Sequence, residues 1–372
     1  MVILIRCNDI VSDPRAMKYV RFLQEKGIEH RIIGWDRDGS KTDCPNAIMW
    51  RKKAGYNVGG FRAVMNRVGW MLFVLKQLLK YGQKDVILHG CDIDCAFPAA
   101  VYKVINHKAK LVFDIFDWFS ATLYDQRKYI LKAFNILESF TVRRSDKLIL
   151  CEPERIEQIP FNVDRSLITI LPNIPYFEDS SFLRKKADSI FKNDLITFSY
   201  VGGFSKDRCL FEIVRIAENG VINLAIAGYG DEDLENKLVS LKDNPHIKYY
   251  GKVPYQKGLN ISYNSDVMYA MYSKVNPNNV YAAPNKYYES MFLGKPIFST
   301  KGTIVEKKVV DNKTGFVSEE SEDEIKHAIS MITKNCIEEY GNNAHVLWDD
   351  RYRNYTSNWL CNIYQPLISC YK

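Results

Sequence analysis

The chain has 372 residues and a mass of 43.1 kDa, about twice the usual domain length of roughly 100–200 residues, so two domains are expected. Its composition, with 47% hydrophobic and 26% charged residues, is that of a globular protein and excludes disordered and fibrous classes. The net charge of +7 arises in the first half, where residues 1–200 carry 31 Lys and Arg against 23 Asp and Glu.

Strands and helices alternate along the first half of the sequence. Short apolar runs predict strands at 2–5, 30–34, 85–88, 111–114 and 147–150, and amphipathic stretches predict helices at 14–25, 97–105 and 128–143. This alternation is typical of βαβ units with a parallel sheet. Residues 176–195 are charged and lose the periodicity, so they are predicted to link two domains.

The second half repeats the pattern. Strands are predicted in the segments ITFSYVGGF, NLAIAGYG, IKYYGKV, DVMYAMY and KPIFST, and helices at 210–218, 233–241, 286–293 and 322–333. The predicted class is therefore α/β, with two doubly wound Rossmann-like domains at 1–175 and 196–345 and closing helices at 346–372. Such domains bind ligands at the carboxyl ends of their strands, so the site is expected in a cleft between them.

The cysteines and the apolar runs bear on the cellular compartment. The nine cysteines are widely spaced and form no Cys-x-x-Cys pair, which disfavours a disulfide framework or a zinc site and favours the cytosol. The N-terminal apolar run is interpreted as a buried strand and not as a signal peptide. Apolar runs such as 68–75 are too short to span a bilayer.

Residues 44–84 hold eight basic residues and no acidic one. Within this stretch an apolar helical face is flanked by basic side chains; its members are Phe61, Val64, Met65, Val68 and Leu72. Such a face suits an anionic membrane surface or a lipid diphosphate, although a helix packed on the core with a solvated basic side has the same pattern. Nucleic acid is disfavoured, because no groove-reading or base-stacking module is recognisable.

The segment PNKYYESMFLGKPIFST is predicted to begin a helix at the end of a strand. The free backbone N–H groups near Asn285 and the amine of Lys286 would bind phosphate. Glu289, one turn later, would accept hydrogen bonds from ribose hydroxyls. The alternative is an exposed Lys–Glu pair on a surface helix.

A second candidate is the turn YVGGFSKDRCL. Gly202 and Gly203 let the backbone approach an anion closely, and Arg208 or Lys206 would neutralise it. Gly228 in AGYGDEDL has the same potential, while a tight strand-to-helix turn also explains these glycines. The sequence has no Gly-x-Gly-x-x-Gly fingerprint followed by an acidic residue, which disfavours a nicotinamide dehydrogenase.

Polar residues also follow the predicted strands and first loop of the first domain. They are Arg15, His89, Asp92, Asp94, Asp114 and Asp117. Strand ends of this kind would hold and polarise the hydroxyl of an acceptor, and the arginine would face a phosphate. A cap-region arginine and a structural histidine are the alternatives. No metal site is expected, since a lone Asp-x-Asp offers too few oxygen ligands for a hard cation.

Taken as a set, the segments GGFSKDR, AGYGD, PNKYYESMFLGKP and VVDNKTGFV, with SDPRAMKYV in the first half, resemble the retaining glycosyltransferases of family 4, which have the GT-B architecture. The resemblance implies that Gly202, Gly203 and Arg208 bind the diphosphate of a nucleoside diphosphate sugar. It also implies that Glu289 binds the ribose and that no metal or cofactor is required.

The chain departs from the family pattern at two positions. Tyr281 stands where family members often have a glutamate that approaches the donor sugar, which leaves Asn278, Asn279 or Tyr281 as candidates for sugar recognition. Gly203 stands where an arginine often follows the first glycine, so the number of cations on the diphosphate is not implied by the resemblance.

We therefore expect an enzyme that transfers a sugar from a nucleoside diphosphate sugar to a hydroxyl of a glycan or polyprenyl-diphosphate-linked acceptor, with retention, in cell-surface polysaccharide synthesis. Arg208 and Lys286 would stabilise the leaving diphosphate, and His89 and Asp117 would orient the acceptor. The expected location is cytoplasmic, peripheral on the inner face of the cell membrane. The alternatives are a nucleotide-sugar epimerase of the same architecture and a non-catalytic sugar-nucleotide-binding or scaffold protein.

Overall fold

The computed structural model describes residues 1–8, 10, 13–37, 39, 44, 46–54, 60–123, 128–176, 181–184 and 190–369. The chain forms two compact units, one of Met1–Pro172 with Thr356–Lys372 and one of Asn173–Tyr355. The linker predicted at 176–195 lies partly outside the described residues, at 177–180 and 185–189.

The first unit is built on a parallel sheet of seven strands in the order β3-β2-β1-β4-β5-β6-β7. Its strands are β1 (Val2–Arg6), β2 (His30–Trp35), β3 (Ala47–Trp50), β4 (Ile87–Cys91), β5 (Lys110–Ile115), β6 (Lys147–Leu150) and β7 (Ile168–Ile170). Parallel sheets of this kind are covered by helices on both faces, and the apolar residues of β1 are accordingly buried. The apolar runs do not predict β3 and β7, which are short and form the two edges.

The helices of the first unit connect these strands. They are α1 (Pro14–Glu25), α2 (Gly60–Leu79), α3 (Ile93–Ile105) and α4 (Lys128–Arg144). α1 begins at the predicted residue because Pro14 suits the first helical position and the Asp13 carboxylate accepts hydrogen bonds from the next two free N–H groups. No helix in the described part of the chain is long and apolar enough to cross a membrane.

The second unit has a parallel sheet of six strands in the order β10-β9-β8-β11-β12-β13. Its strands are β8 (Thr197–Gly203), β9 (Asn223–Tyr229), β10 (Ile247–Tyr249), β11 (Val267–Ala270), β12 (Ile297–Thr300) and β13 (Gly315–Ser318). Its helices are α5 (Leu210–Glu218), α6 (Glu232–Ser240), α7 (Tyr255–Tyr263), α8 (Asn285–Leu293), α9 (Ile304–Asn312), α10 (Glu322–Ser330) and α11 (Lys334–Leu347).

Both sheets have the strand order of the Rossmann fold, in which the chain leaves the first strand in one direction and later resumes on its other side. The predicted class of two doubly wound Rossmann-like domains is confirmed. In such a sheet the connections that follow the first and fourth strands run in opposite directions, which leaves a crevice at their carboxyl ends where ligands bind. In the second unit this point lies between β8 and β11.

The chain ends in short helical segments that the spacing of residues does not assign to either domain. Two π-helical turns, Trp348–Tyr352 and Leu360–Tyr364, alternate with α12 (Tyr355–Trp359) and α13 (Gln365–Ser369). The Tyr364 ring lies 5.1 Å from the Tyr19 ring and 5.4 Å from the His89 ring, measured between centroids. The segment from residue 356 onward therefore belongs to the first unit.

Candidate functional site

Glycines bring two strand ends of the second unit into close contact. Gly202 of β8 pairs in register with Gly228 of β9. A Cβ atom at Gly228 would lie 1.9 Å from the Gly202 carbonyl oxygen, and the backbone there has a φ of 151°. By contrast, a Cβ at Gly203 would meet nothing within 4 Å. Gly228 is thus required by packing, whereas Gly203 borders open space.

Two cations lie at this end of β8. Lys286 is the second residue of α8, and its Nζ atom is 4.7 Å from the centroid of the Tyr200 ring. A Cβ at Gly202 would lie 2.8 Å from the same Nζ atom, so the amine sits against the strand end. The Arg208 guanidinium lies 4.1 Å from the centroid of the Tyr272 ring. The structure therefore places the predicted diphosphate-binding residues beside the predicted turn.

Glu289 lies one turn along α8 from Lys286 and is buried. The Tyr255 hydroxyl, on α7, donates a hydrogen bond of 2.7 Å to Glu289 Oε1. Burial raises the pKa of Glu289, and Lys286 and the hydrogen bond from Tyr255 oppose this rise. Tyr255 therefore holds one carboxylate oxygen of Glu289, the residue predicted to bind ribose. No spacing pattern in the sequence predicts this pairing.

A second contact that the sequence does not reveal joins two loops of the site. Asp207 Oδ2 accepts a hydrogen bond of 2.9 Å from Asn279 Nδ2, and Asp207 also bonds to the Ser205 hydroxyl. The Asn279 amide group donates again, to the Ser273 carbonyl at 2.9 Å. Asn279, a candidate for sugar recognition, therefore uses its amide hydrogens to hold the loop that carries Tyr281 against the turn after β8.

In the first unit, an aspartate at the end of β5 organises a buried network. Arg15 donates to Asp114 at 2.7 Å, and the Tyr19 hydroxyl donates to Asp114 Oδ2 at 2.7 Å. His89 Nε2 lies 3.6 Å from the same oxygen, while His89 Nδ1 is 2.8 Å from the Tyr364 hydroxyl. Burial acts to raise the pKa of Asp114, but Arg15 and His89 outweigh it and hold the pKa well below its usual range.

This network leaves His89 without exposed surface. Contact between its imidazole and an acceptor would require the side chains around it to move. The proposed role of His89 in orienting the acceptor stays a prediction, as does the role of Arg15 toward phosphate, because the Arg15 guanidinium is engaged by Asp114 and by the Leu171 carbonyl at 2.7 Å.

The other predicted aspartates lie at the same edge of the sheet. Asp92 has a φ of 66° and accepts hydrogen bonds from the Phe116 N–H group and from Arg6. Burial raises the pKa of Asp92 to about 6, against the opposing effect of Arg6. A strained backbone and a raised pKa at a strand end are features of functional sites, so Asp92 remains a candidate.

The two remaining aspartates each pair with an arginine. Asp94 binds Arg67 at 2.6 Å, and the more exposed Asp117 binds Arg155 at 3.0 Å.

One group of side chains in the described part of the chain has the spacing of a metal site: His89, Cys91 and Asp114, whose ligand atoms lie within 4.8 Å of one another. Both oxygens of Asp114 already accept hydrogen bonds, from Arg15 and Tyr19. The expectation that no metal is required stays a prediction.

The apolar face predicted in the basic stretch lies on α2 and is exposed. Val64, Met65, Val68 and Leu72 are between 44% and 61% exposed, while the Phe61 side chain lies outside the described residues. This face of α2 therefore does not pack on the core of the first unit. Trp70, Val74 and Leu78 do so instead.

Comparison with known proteins gives a family match and a shared fold. Residues 184–345 match the family model described as Glycosyl transferases group 1. No curated protein matches the chain. Among solved structures, sucrose-phosphate synthase from Thermosynechococcus elongatus is similar with a TM-score of 0.73 and 14% identity, covering 99% of each chain.

Two further solved structures share this fold. HepE of Anabaena, solved in complex with UDP and glucose, has a TM-score of 0.68 and 12% identity, with 98% of each chain covered. WaaG, a glycosyltransferase involved in lipopolysaccharide biosynthesis, has a TM-score of 0.63 and 12% identity, covering 95% of this chain and 96% of that one. The match over residues 184–345, together with the shared fold, indicates that the protein is a glycosyltransferase.

Proposed function

We propose that the protein transfers a sugar, with retention as in family 4, from a uridine diphosphate sugar to a hydroxyl of a glycan or lipid-linked glycan in cell-surface polysaccharide synthesis. The observation that carries the donor part is the grouping of Arg208, Lys286 and Glu289 at the end of β8, beside the open space at Gly203. The complex of HepE with UDP and glucose supports the choice of nucleotide.

The donor would bind with its diphosphate near the end of β8 and its ribose at Glu289. Breaking the bond between the sugar and the diphosphate develops negative charge on the phosphate oxygens, and fixed cations stabilise that charge in the transition state. Lys286 suits this role because Tyr200, Tyr272 and Glu289 outweigh the effect of burial and raise its pKa, which keeps the amine protonated. No metal or cofactor is required in this proposal.

The acceptor would bind at the carboxyl edge of the first sheet. Asp92, Asp117 and His89 lie there, and Asp117 has the most exposed carboxylate of the group. An acceptor hydroxyl near Asp117 would be oriented by hydrogen bonding. As its oxygen bonds to the sugar carbon and the bond from that carbon to the diphosphate breaks, its proton would pass to the leaving diphosphate. The role of WaaG in lipopolysaccharide biosynthesis supports a cell-surface glycan as the acceptor class.

The exposed face of α2 would place this edge near the acceptor's membrane. Its apolar side chains are exposed, and Arg62, Lys76 and Lys80 lie on or beside the same helix and are also exposed. An apolar face bordered by basic residues binds anionic lipid surfaces through burial and charge together. We propose a peripheral association with the cytoplasmic face of the membrane.

Binding of UDP, measured by isothermal titration calorimetry, tests the donor site. Hydrogen bonds to charged groups contribute about 1.5–3 kcal/mol, so Arg208→Ala and Glu289→Gln should each weaken UDP binding by about 10- to 150-fold. Arg215→Ala is the control, because Arg215 forms a surface ion pair with Glu322 on another part of the unit. Unchanged UDP affinity in both site variants would remove the assignment.

Turnover then separates the proposed activity from its alternatives. With donor and an acceptor glycan, a transferase forms a new glycan product, whereas an epimerase alters the donor alone. Binding of UDP without either reaction would favour the non-catalytic alternative.

A further inference from the structure

A hydrogen bond between two helices of the second unit holds the carboxylate to which ribose binding is assigned. Tyr255 is the first residue of α7, and its hydroxyl donates at 2.7 Å to Glu289 Oε1 on α8. The two residues lie 34 positions apart in the sequence. The contact therefore depends on how α7 and α8 pack, and a shift of α7 would move the carboxylate.

Packing against β8 fixes the start of α7. Gly258 lies one turn after Tyr255, and a Cβ atom there would lie 2.6 Å from Val201 Cγ1 on β8. A larger side chain at Gly258 would push the helix away from the strand. The glycine lets α7 lie close to the strand whose carboxyl end carries Gly202 and Gly203, so the Tyr255 hydroxyl is supplied by an element that is packed on this strand.

The hydrogen bond makes the two oxygens of the Glu289 carboxylate unequal. Only 8% of the Glu289 surface is exposed. Oε1 is engaged by Tyr255, whereas Oε2 accepts no hydrogen bond from any residue that the structure describes and is not fully enclosed. A largely buried carboxylate oxygen is costly to leave without a donor. An ionised carboxylate only accepts hydrogen bonds, so the hydroxyls of a ribose are suitable donors to Oε2.

The same contact affects the charge of Glu289. Burial raises the pKa of Glu289, and the Lys286 amine and the Tyr255 hydroxyl act to lower it. These are the two titratable groups in the described part of the chain that act on this carboxylate. The groups that act on Lys286 in turn are Tyr200, Tyr272 and Arg208. Removal of the Tyr255 hydroxyl would raise the pKa of Glu289 further, and a protonated carboxyl group accepts fewer hydrogen bonds from ribose.

We propose that Tyr255 is a positioning residue of the donor site. By binding Glu289 Oε1 it holds the carboxylate so that Oε2 meets the ribose, and it thereby sets the preference of the enzyme for ribonucleotides over deoxyribonucleotides. This inference rests on the proposed function for the assignment of Glu289 to the ribose. Tyr255 acts through Glu289, so its loss should weaken only the part of binding that depends on the ribose hydroxyls.

Titration calorimetry with UDP and 2′,3′-dideoxy-UDP tests the proposal. The two nucleotides share the base and the diphosphate, so the ratio of their dissociation constants reports the ribose hydroxyls alone. The wild type should bind UDP about 10- to 150-fold more tightly, as expected for hydrogen bonds to a charged group. Tyr255→Phe should reduce this ratio by about 2- to 10-fold, the contribution of a typical hydrogen bond, and should leave the affinity for the dideoxy nucleotide unchanged.

Tyr263→Phe is the matched control. Tyr263 ends the same helix, and its hydroxyl donates to no residue that the structure describes. This variant should keep the wild-type ratio. An unchanged ratio in Tyr255→Phe, or an equal loss of affinity for both nucleotides, would overturn the positioning role, because an equal loss indicates a general change in the structure of the unit.

The pH dependence of the ratio is a readout that a merely structural role would not move. In the wild type the ratio should fall as the pH is lowered through the pKa of Glu289, and titration of the phosphates cancels because both nucleotides carry them. In Tyr255→Phe the fall should begin at a higher pH, since the hydrogen bond no longer lowers the pKa of Glu289. The same midpoint in both proteins would contradict the proposal.

Glu289→Gln separates a failure of this inference from a failure of the proposed function. The preference for UDP over the dideoxy nucleotide should fall most in this variant. A preference that persists in Glu289→Gln, or that is absent in the wild type, would overturn the ribose assignment and the inference with it. A preference that is lost in Glu289→Gln and intact in Tyr255→Phe would overturn the inference alone.

Discussion

A Cβ atom added at Gly228 would overlap the neighbouring strand, whereas one added at Gly203 would enter open space. Alanine at these two positions therefore separates an effect on packing from an effect on ligand binding. Both lie where β8 and β9 end. Gly228→Ala would place a methyl group 1.9 Å from the Gly202 carbonyl oxygen, whereas Gly203→Ala would place it in open space. The first change therefore perturbs the protein, and the second perturbs only a ligand that occupies the space.

The size of the first effect follows from the geometry. Real Cβ atoms essentially never lie closer than 3.0 Å to such a neighbour, so the strand ends must separate by at least 3.0 − 1.9 = 1.1 Å. Overpacking of this kind costs about 1–3 kcal/mol. For a domain of about this length each kcal/mol lowers the melting temperature by roughly 2–4 °C, which gives a fall of about 2–12 °C for Gly228→Ala.

Two measurements on each variant check the reasoning. Differential scanning calorimetry should show the fall for Gly228→Ala and a wild-type melting temperature for Gly203→Ala. Calorimetric titration with UDP should show weaker binding for both, in the first because the strand ends move and in the second because the methyl group meets the diphosphate. If Gly228→Ala melts like the wild type, the close contact is wrong; if Gly203→Ala binds UDP normally, the diphosphate lies elsewhere.

Three further predictions concern the first unit. Burial lowers the pKa of Lys18 on α1 from its ordinary value of 10.5 to about 7, so the charged amine destabilises the folded chain fully below pH 7 and not at all above pH 10.5. The stability advantage of Lys18→Met in urea unfolding should therefore shrink by about 1.4 kcal/mol per pH unit between pH 7 and 10. A stability difference that is constant with pH would contradict the buried charge. His89→Ala should leave UDP affinity intact and slow transfer by about 10²–10⁴-fold. Tyr364→Phe, which removes only the hydroxyl partner of His89, serves as the control. Near-normal transfer by His89→Ala, or its unfolding, would show that the histidine is structural. Leu72→Ser should weaken co-sedimentation with anionic vesicles, in a manner that depends on salt. Val239→Ser is the control, because Val239 is about equally exposed on the second unit, and it should not weaken co-sedimentation. Equal effects of the two variants would rule out α2 as the membrane-binding surface.

The regular elements were largely predictable from the sequence, because their signals are local. The apolar runs of β1 and β5 and the cap at Asp13 depend on neighbouring residues alone, and each matches the structure within one or two residues. The edge strands β3 and β7 are apolar but only four and three residues long, too short for an apolar run to predict a strand, and their existence depends on the strand beside them. The sequence therefore predicts the central strands of the first sheet and misses its edges.

The donor site divides in the same way. Lys286 and Glu289 stand one turn apart on one helix, so their proximity follows from helical spacing, and the family match over 184–345 agrees with the resemblance that these motifs carry. Retention and membership of family 4 stay predictions. The hydrogen bond from Tyr255 to Glu289 joins two helices, and nothing in the spacing of either helix reports it.

Partnership among charged residues was decided by the tertiary structure alone. From the sequence, Arg15 and Lys18 are equivalent cations on one helix, and His89 is a histidine at a strand end. The fold brings Asp114 to Arg15 from 99 residues away and Tyr364 to His89 from 275 residues away, while it leaves Lys18 buried with no partner among the described residues. The local sequence determines which residues carry charge and on which element they lie. Burial and pairing depend on contacts between distant segments, so only the folded chain determines which of these charges are buried and which form ion pairs.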